Sequence, residues 1–127
     1  MKNNELRIGN HINYATSEGD ITSIKIIHDH IRWCFEDTKG FNMVHKPILL
    51  NKESLSVLCS EESYSTLYIP LPNIKAELHF EIHSKQIVTI LYSDSCKLIL
   101  DPLKYVHQLQ NLYYVLSNGL ELEFKNK

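Results

Sequence analysis

The sequence predicts an α+β protein: an N-terminal bent β lobe resembling an SH3-like partial barrel, a short helix, and a C-terminal antiparallel sheet packed against one long helix. Three observations carry this. Residues 101–119 repeat apolar side chains at helical spacing between a capping aspartate and a glycine. Residues 76–83 alternate apolar and polar side chains, the signature of a half-buried strand. The first 46 residues hold short β-branched and aromatic runs divided by polar turns, which suggests a small curled sheet.

The long helix is the element around which the chain is organised. Asp101 offers a carboxylate to the free N–H groups of a first turn, and Pro102 suits the first helical position because its missing donor would go unpaired there. Gly119 is placed to end the helix in the left-handed region. Tyr105, Val106, Leu109, Leu112, Tyr113 and Leu116 share one face. The other face carries Lys104, His107, Asn111, Tyr114 and Asn118, with Val115 beside them.

In chain order, His11–Ala15, Ile21–His28, Ile31–Phe35 and Phe41–His45 read as strands, with His28-Asp29-His30 as the turn between the second and third. Pro47 marks the end of this lobe, residues 1–46, within a single domain of 127 residues. Asn51 can cap a short helix from Lys52 to about Cys59, with Leu55 and Leu58 inward. Tyr64–Ile69 reads as a strand stopped by Pro70 and Pro72, which belong at an edge. Ile87–Tyr92 is apolar on both faces and so central, Cys96–Leu100 follows it, and Leu120–Phe124 can return as a last strand.

Composition excludes several classes. A net charge of −2 and a pI of about 6.4 give no basic field, which disfavours binding of duplex DNA. Cys34, Cys59 and Cys96 have no paired spacing and are expected as buried thiols in a reducing compartment, pointing to the cytoplasm. The N-terminal residues lack the apolar stretch of a signal peptide, and no run reaches the length of a membrane span. No cofactor motif occurs: there is no glycine-rich phosphate loop, Rossmann fingerprint or nucleophile elbow.

At Leu6-Arg-Ile-Gly-Asn10, Pro47-Ile-Leu-Leu-Asn-Lys-Glu-Ser-Leu55 and Tyr105-Val-His-Gln-Leu-Gln-Asn-Leu-Tyr-Tyr114, the chain resembles a family of short uncharacterised proteins of Bacteroidota and of their phages and mobile elements. The family's helix typically runs on through a Leu-Thr-Gly-Glu-Glu-Leu ending, which Leu116-Ser-Asn-Gly-Leu-Glu-Leu122 approximates. The family has no established activity, so the resemblance implies a whole-chain fold and a genomic setting, and it transfers no site residues. That setting implies an accessory role, with inhibition of a host defence nuclease or its ribonucleoprotein among the roles it would fit.

Each candidate chemistry has a plainer rival. His28 and His30 would share a face on a strand and could hold a metal, yet two histidines without further ligands usually make a polar turn. His79 and His83 sit about 13 Å apart on a strand, from the ~3.3 Å rise per residue, and cannot share an ion; the Glu-His-Glu-His strip reads as a solvated face, with a proton-sensitive binding surface as the sharper alternative. Trp33 and Phe35, with Phe41 and Tyr14, could stack single-stranded bases, with Arg32, Lys25, Lys39 and Lys46 as phosphate partners; the alternative is that these rings form the core of the lobe. The charge-poor strip His107, Asn111, Tyr114, Val115 and Asn118 has the composition of a protein contact, or else of a helix covered on both sides. The expected function is therefore a non-enzymatic protein-binding role, the partner being a second copy or a host protein. RNA binding through the lobe aromatics is the alternative, and an enzyme with a histidine-based site ranks third.

Overall fold

The computed structural model describes residues 6–15, 21–58, 61–63, 66–72, 74–83, 86–94 and 96–122. They form a mixed α+β fold with two antiparallel sheets. The elements are β1 (His11–Ala15), β2 (Ile21–Lys25), α1 (His28–Glu36), α2 (Thr38–Val44), β3 (His45–Pro47), α3 (Lys52–Leu58), β4 (Glu61–Ser63), β5 (Thr66–Leu71), β6 (Ala76–Ile82), β7 (Ile87–Ser93), β8 (Lys97–Ile99) and α4 (Val106–Leu116).

The N-terminal lobe is a three-stranded sheet, β2-β1-β3, into which two helices are inserted. The strands expected over Ile31–Phe35 and Phe41–His45 are α1 and α2, so the lobe is not a run of strands curling into a barrel. Local chemistry explains the helices. His30 Nδ1 accepts the Ile27 N–H at 3.0 Å and closes the start of α1. Asp37 Oδ1 accepts the Gly40 N–H at 3.1 Å and caps α2. Ile31, Cys34, Thr38, Phe41 and His45 recur three and four residues apart and face inward across both helices. Cys34 and Phe41 join Leu6, Ile12 and Ile26 in a buried cluster.

The second sheet runs β4-β5-β6-β7-β8, a meander. The expected strands over Ala76–His83, Ile87–Tyr92 and Cys96–Leu100 are present as β6, β7 and β8, and β7 is paired on both sides as its apolar sequence requires. Thr66–Leu71 forms the strand expected over Tyr64–Ile69, with Pro70 inside it. β4 pairs only with Thr66–Tyr68, so Pro70 lies beyond the β4–β5 pairing, while it stays in register with Glu77 of β6. Asn51 caps α3 as expected: its Oδ1 accepts the Ser54 N–H, and Ser54 Oγ accepts the Asn51 N–H, both at 2.9 Å. Leu55 and Leu58 of α3, Leu67, Ile69, Leu78 and Phe80 of the sheet, and Val106, Leu109 and Tyr113 of α4 make the larger core.

The long helix begins at Val106, a turn later than Asp101 and Pro102 suggest. Tertiary pairing decides this. The Leu50 N–H donates to the Lys104 carbonyl and the Val106 N–H to the Ile48 carbonyl, both at 2.8 Å, which holds residues 104–106 extended beside residues 48–50. The cap is supplied from inside the helix, where Gln108 Oε1 accepts the N–H groups of Lys104 and Tyr105. At the other end, the Gly119 N–H reaches the Tyr114 carbonyl and the Asn118 N–H the Val115 carbonyl, a Schellman closure with Asn118 at φ 60°. Asn118→Val, with its β-branch in the left-handed region, is expected to lower stability by about 1 kcal/mol, while Asn118→Gly holds or raises it. Urea midpoints of the two variants measure this. Leu120–Leu122 is not a strand, and the rest of the strand expected at Leu120–Phe124 lies outside the described residues.

Candidate functional site

The face of α4 expected to meet a partner is largely occupied by the chain itself. His107 is fully buried, and Asn111 and Tyr114 are half-buried. His107 stacks on Tyr105 at 5.7 Å, and the cover of Asn111 and Tyr114 is the turn at Leu6–Asn10, closed by the Asn10 N–H to the Arg7 carbonyl at 3.0 Å, with Gly9 at φ 97°. The Arg7 guanidinium lies 4.0 Å over the Tyr114 ring, donates to Asn111 Oδ1 at 3.3 Å and pairs with Glu121. Asn10 Nδ2 donates to Asn111 Oδ1 at 2.8 Å. Gln110, fully buried, accepts the His11 N–H at 2.8 Å and donates to the Leu122 carbonyl at 2.8 Å. The segments Leu6–Asn10 and Tyr105–Tyr114 thus meet in a polar joint, and α4 is covered on both sides. Of the contact candidates, Val115 and Asn118 remain exposed, Val115 by 74%.

The lobe aromatics do not assemble into one platform. Trp33 is 40% and Phe35 59% exposed, against the core role that competed with base stacking. Two residues apart on a helix, they point about 160–200° from one another, from the ~100° turn per residue. Trp33 packs edge-on against Phe41 and His45, and Arg32 pairs with Glu36 at 3.1 Å. Lys25 is exposed at the end of β2.

The histidines separate in the same way. His28 and His30 lie in the first turn of α1 rather than in a turn between strands, and a helix sends them to different sides. Along β6, each histidine has as neighbour the glutamate two residues before it: His79–Glu77 at 3.6 Å and His83–Glu81 at 3.5 Å. Among the described residues, no three His, Cys, Asp or Glu side chains converge as metal ligands. Cys34 is buried as expected; Cys96 is exposed at the turn before β8, and Cys59 lies outside the described residues.

His45 is buried between Phe41, stacked at 4.0 Å, and the rings of Tyr14, Trp33 and His30. Burial holds its imidazole below the usual range. Its hydrogen bond with the Phe41 carbonyl works against this, and the nearby His30 adds to the lowering. The unfolded chain takes up this proton at about pH 6.5 and the folded chain only at lower pH. The His45 contribution is therefore complete above about pH 6.5 and is lost progressively as pH falls from there toward the folded value. Urea midpoints from pH 7.5 to 5 should drop more steeply for the wild type than for His45→Gln; parallel slopes would rule this out.

A surface marked in the sequence only by the Glu77-His79-Glu81-His83 strip lies on the second sheet. α3 and α4 pack on the face formed by Leu67, Ile69, Leu78 and Phe80; among the described residues, no helix belongs to a core cluster on the opposite face. Register places Tyr68 beside His79, Glu77 beside Tyr92, and Tyr92 beside Lys97 on that face. The rings touch across three strands: Tyr68 and His79 stack at 5.3 Å, and His79 meets Tyr92 at 4.4 Å. Lys97 Nζ lies 5.5 Å from the Tyr92 ring centre. On the same face Ile90 is buried and Ile99 is 66% exposed. The pattern that could have marked this surface is a set of aromatics at the polar positions of alternating strands. No family model, curated protein or solved structure matches the chain. None of the helices described is long and apolar enough to cross a membrane.

Proposed function

We propose that the protein is a non-enzymatic binding protein that engages another protein through the face of the five-stranded sheet opposite α3 and α4. The observation that carries this reading is the contact of Tyr68, His79 and Tyr92 across β5, β6 and β7 on the face opposite α3 and α4. Tyrosine and histidine rings give large, stiff, amphipathic contact area, and such residues dominate the centres of protein interfaces. Glu77 and Glu81, both partly exposed, flank the ring array. Their carboxylates oppose a phosphate backbone and complement a basic protein surface.

The test is quantitative capture from a host lysate with wild type, a Tyr68→Ala/Tyr92→Ala variant and Val115→Arg, identifying proteins and RNA together. The tyrosine variant is expected to lose its specific protein partners by 30-fold or more, on the order of 2 kcal/mol for a central aromatic. Val115→Arg should retain them. Equal capture by the tyrosine variant and wild type would overturn the proposal. The exposure of Trp33 favours a second reading, single-stranded RNA binding, which instead predicts recovered RNA that is lost in Trp33→Ala and weakened by salt. A host defence nuclease or its ribonucleoprotein, the partner that the family resemblance suggests, would be recognised in the same experiment.

A further inference from the structure

A cavity of about 570 Å³ opens where the end of the β6–β7 hairpin meets residues 49–52 and 102–105. It lies apart from the Tyr68–His79–Tyr92 surface, and its size is that of a small-molecule site. Leu49, Leu103, Ile82 and Ile87 supply apolar walls, and Leu49 is left 63% exposed. Lys52, Lys104, His83 and Tyr105 supply the titratable groups, of which the two lysines are the cations. Among the described residues, no aspartate or glutamate lines it, in a chain whose acidic residues outnumber its lysines and arginines. Lys52 and Lys104 have no ion-pair partner among the described residues, whereas Arg7 and Arg32 are both paired. The hairpin that closes one side is anchored by the His83 N–H to the Gln86 carbonyl at 2.9 Å.

We propose that this cavity binds an amphiphilic carboxylate, a small molecule with an apolar body and one anionic head. The body lies on Leu49, Leu103, Ile82 and Ile87, where it removes apolar surface from water. The carboxylate sits between Lys52 and Lys104, two cations that nothing else in the described chain neutralises. Neither half of such a ligand suffices alone. A short carboxylate leaves the walls wet, and a neutral chain leaves the lysines without a counter-charge.

Decanoate, decanol and acetate separate these contributions. Titrated below the micellar concentration into 15N-labelled protein, decanoate is expected to shift the amides of Lys52, Ile87 and Lys104 and to bind at least tenfold tighter than decanol or acetate. Lys52→Gln/Lys104→Gln should weaken decanoate at least tenfold and leave decanol unchanged. Both lysines are exposed, so the fold survives the exchange. Equal binding of decanol and decanoate, shifts elsewhere on the protein, or full affinity in the double variant would each overturn the proposal. Tyr68→Ala/Tyr92→Ala should bind decanoate normally, which keeps this result distinct from that of the sheet face.

Discussion

Gln110→Ala is expected to uncouple the two hydrophobic clusters of the molecule. Gln110 ties α4 to the chain on either side of it: its amide accepts the His11 N–H at the start of β1 and donates to the Leu122 carbonyl after α4. Alanine leaves both backbone groups without this partner. A buried donor or acceptor so stranded costs about 1–3 kcal/mol, and since the His11 amide is only part-buried, a total of about 2–4 kcal/mol is expected. The chain has a single tryptophan, Trp33, and it reports the N-terminal lobe. In urea, wild-type Trp33 fluorescence and far-ultraviolet circular dichroism should move together. In Gln110→Ala the fluorescence transition should come first. Gln110→Met keeps the volume and removes the hydrogen bonds; wild-type stability in that variant would show that the network does not join the lobes.

The joint also shows how far the sequence could be read. Charge depletion on the back of α4 was visible from His107, Asn111, Tyr114 and Asn118, but a covered helix and a partner surface share that composition. Only the docking of the Arg7–Asn10 turn distinguishes them, and that is a long-range contact no local pattern encodes. β6 was legible because strict alternation admits one period. The start of α4 was not, because Asp101 and Pro102 are local signals, overruled by the pairing of residues 48–50 with 104–106.

The N-terminal lobe misled for a related reason. Ile31, Trp33 and Phe35 alternate and carry β-forming side chains, so a period of two looks satisfied over a short run. The competing series Ile31, Cys34, Thr38, Phe41, His45 is longer but crosses Asp37, a residue that reads as a turn and acts as the cap of α2. His79 was legible on the solvated face of β6, but Tyr68 and Tyr92 beside it were not, because the three lie on three strands and become neighbours only through register. Sequence periodicity finds the faces of elements; it does not find which faces adjoin.

Phe41→Ala is expected to have the largest effect on stability, and a local one. Phe41 is fully buried in a cluster whose other buried members are Leu6, Ile12, Ile26 and Cys34, so among the described residues it is the one phenyl, phenol or indole ring fully inside that lobe. It also stacks on His45 at 4.0 Å and receives the edge of Trp33 at 5.7 Å. Truncating a buried phenylalanine costs about 3–5 kcal/mol. A cluster this small has little left with which to refill the cavity, so the upper part of that range is expected. Trp33 emission should shift to the red and the lobe should melt early. Amides of β5, β6 and β7, whose core is Leu67, Ile69, Leu78 and Phe80, should stay protected from hydrogen exchange. Phe41→Leu, which keeps most of the volume, should recover much of the loss. Simultaneous loss of protection in both sheets would mean that the lobes fold as one unit. If only the N-terminal lobe loosens, the same variant measures its share in recognition: a partner held by Tyr68, His79 and Tyr92 remains bound, and one that uses Trp33 is released.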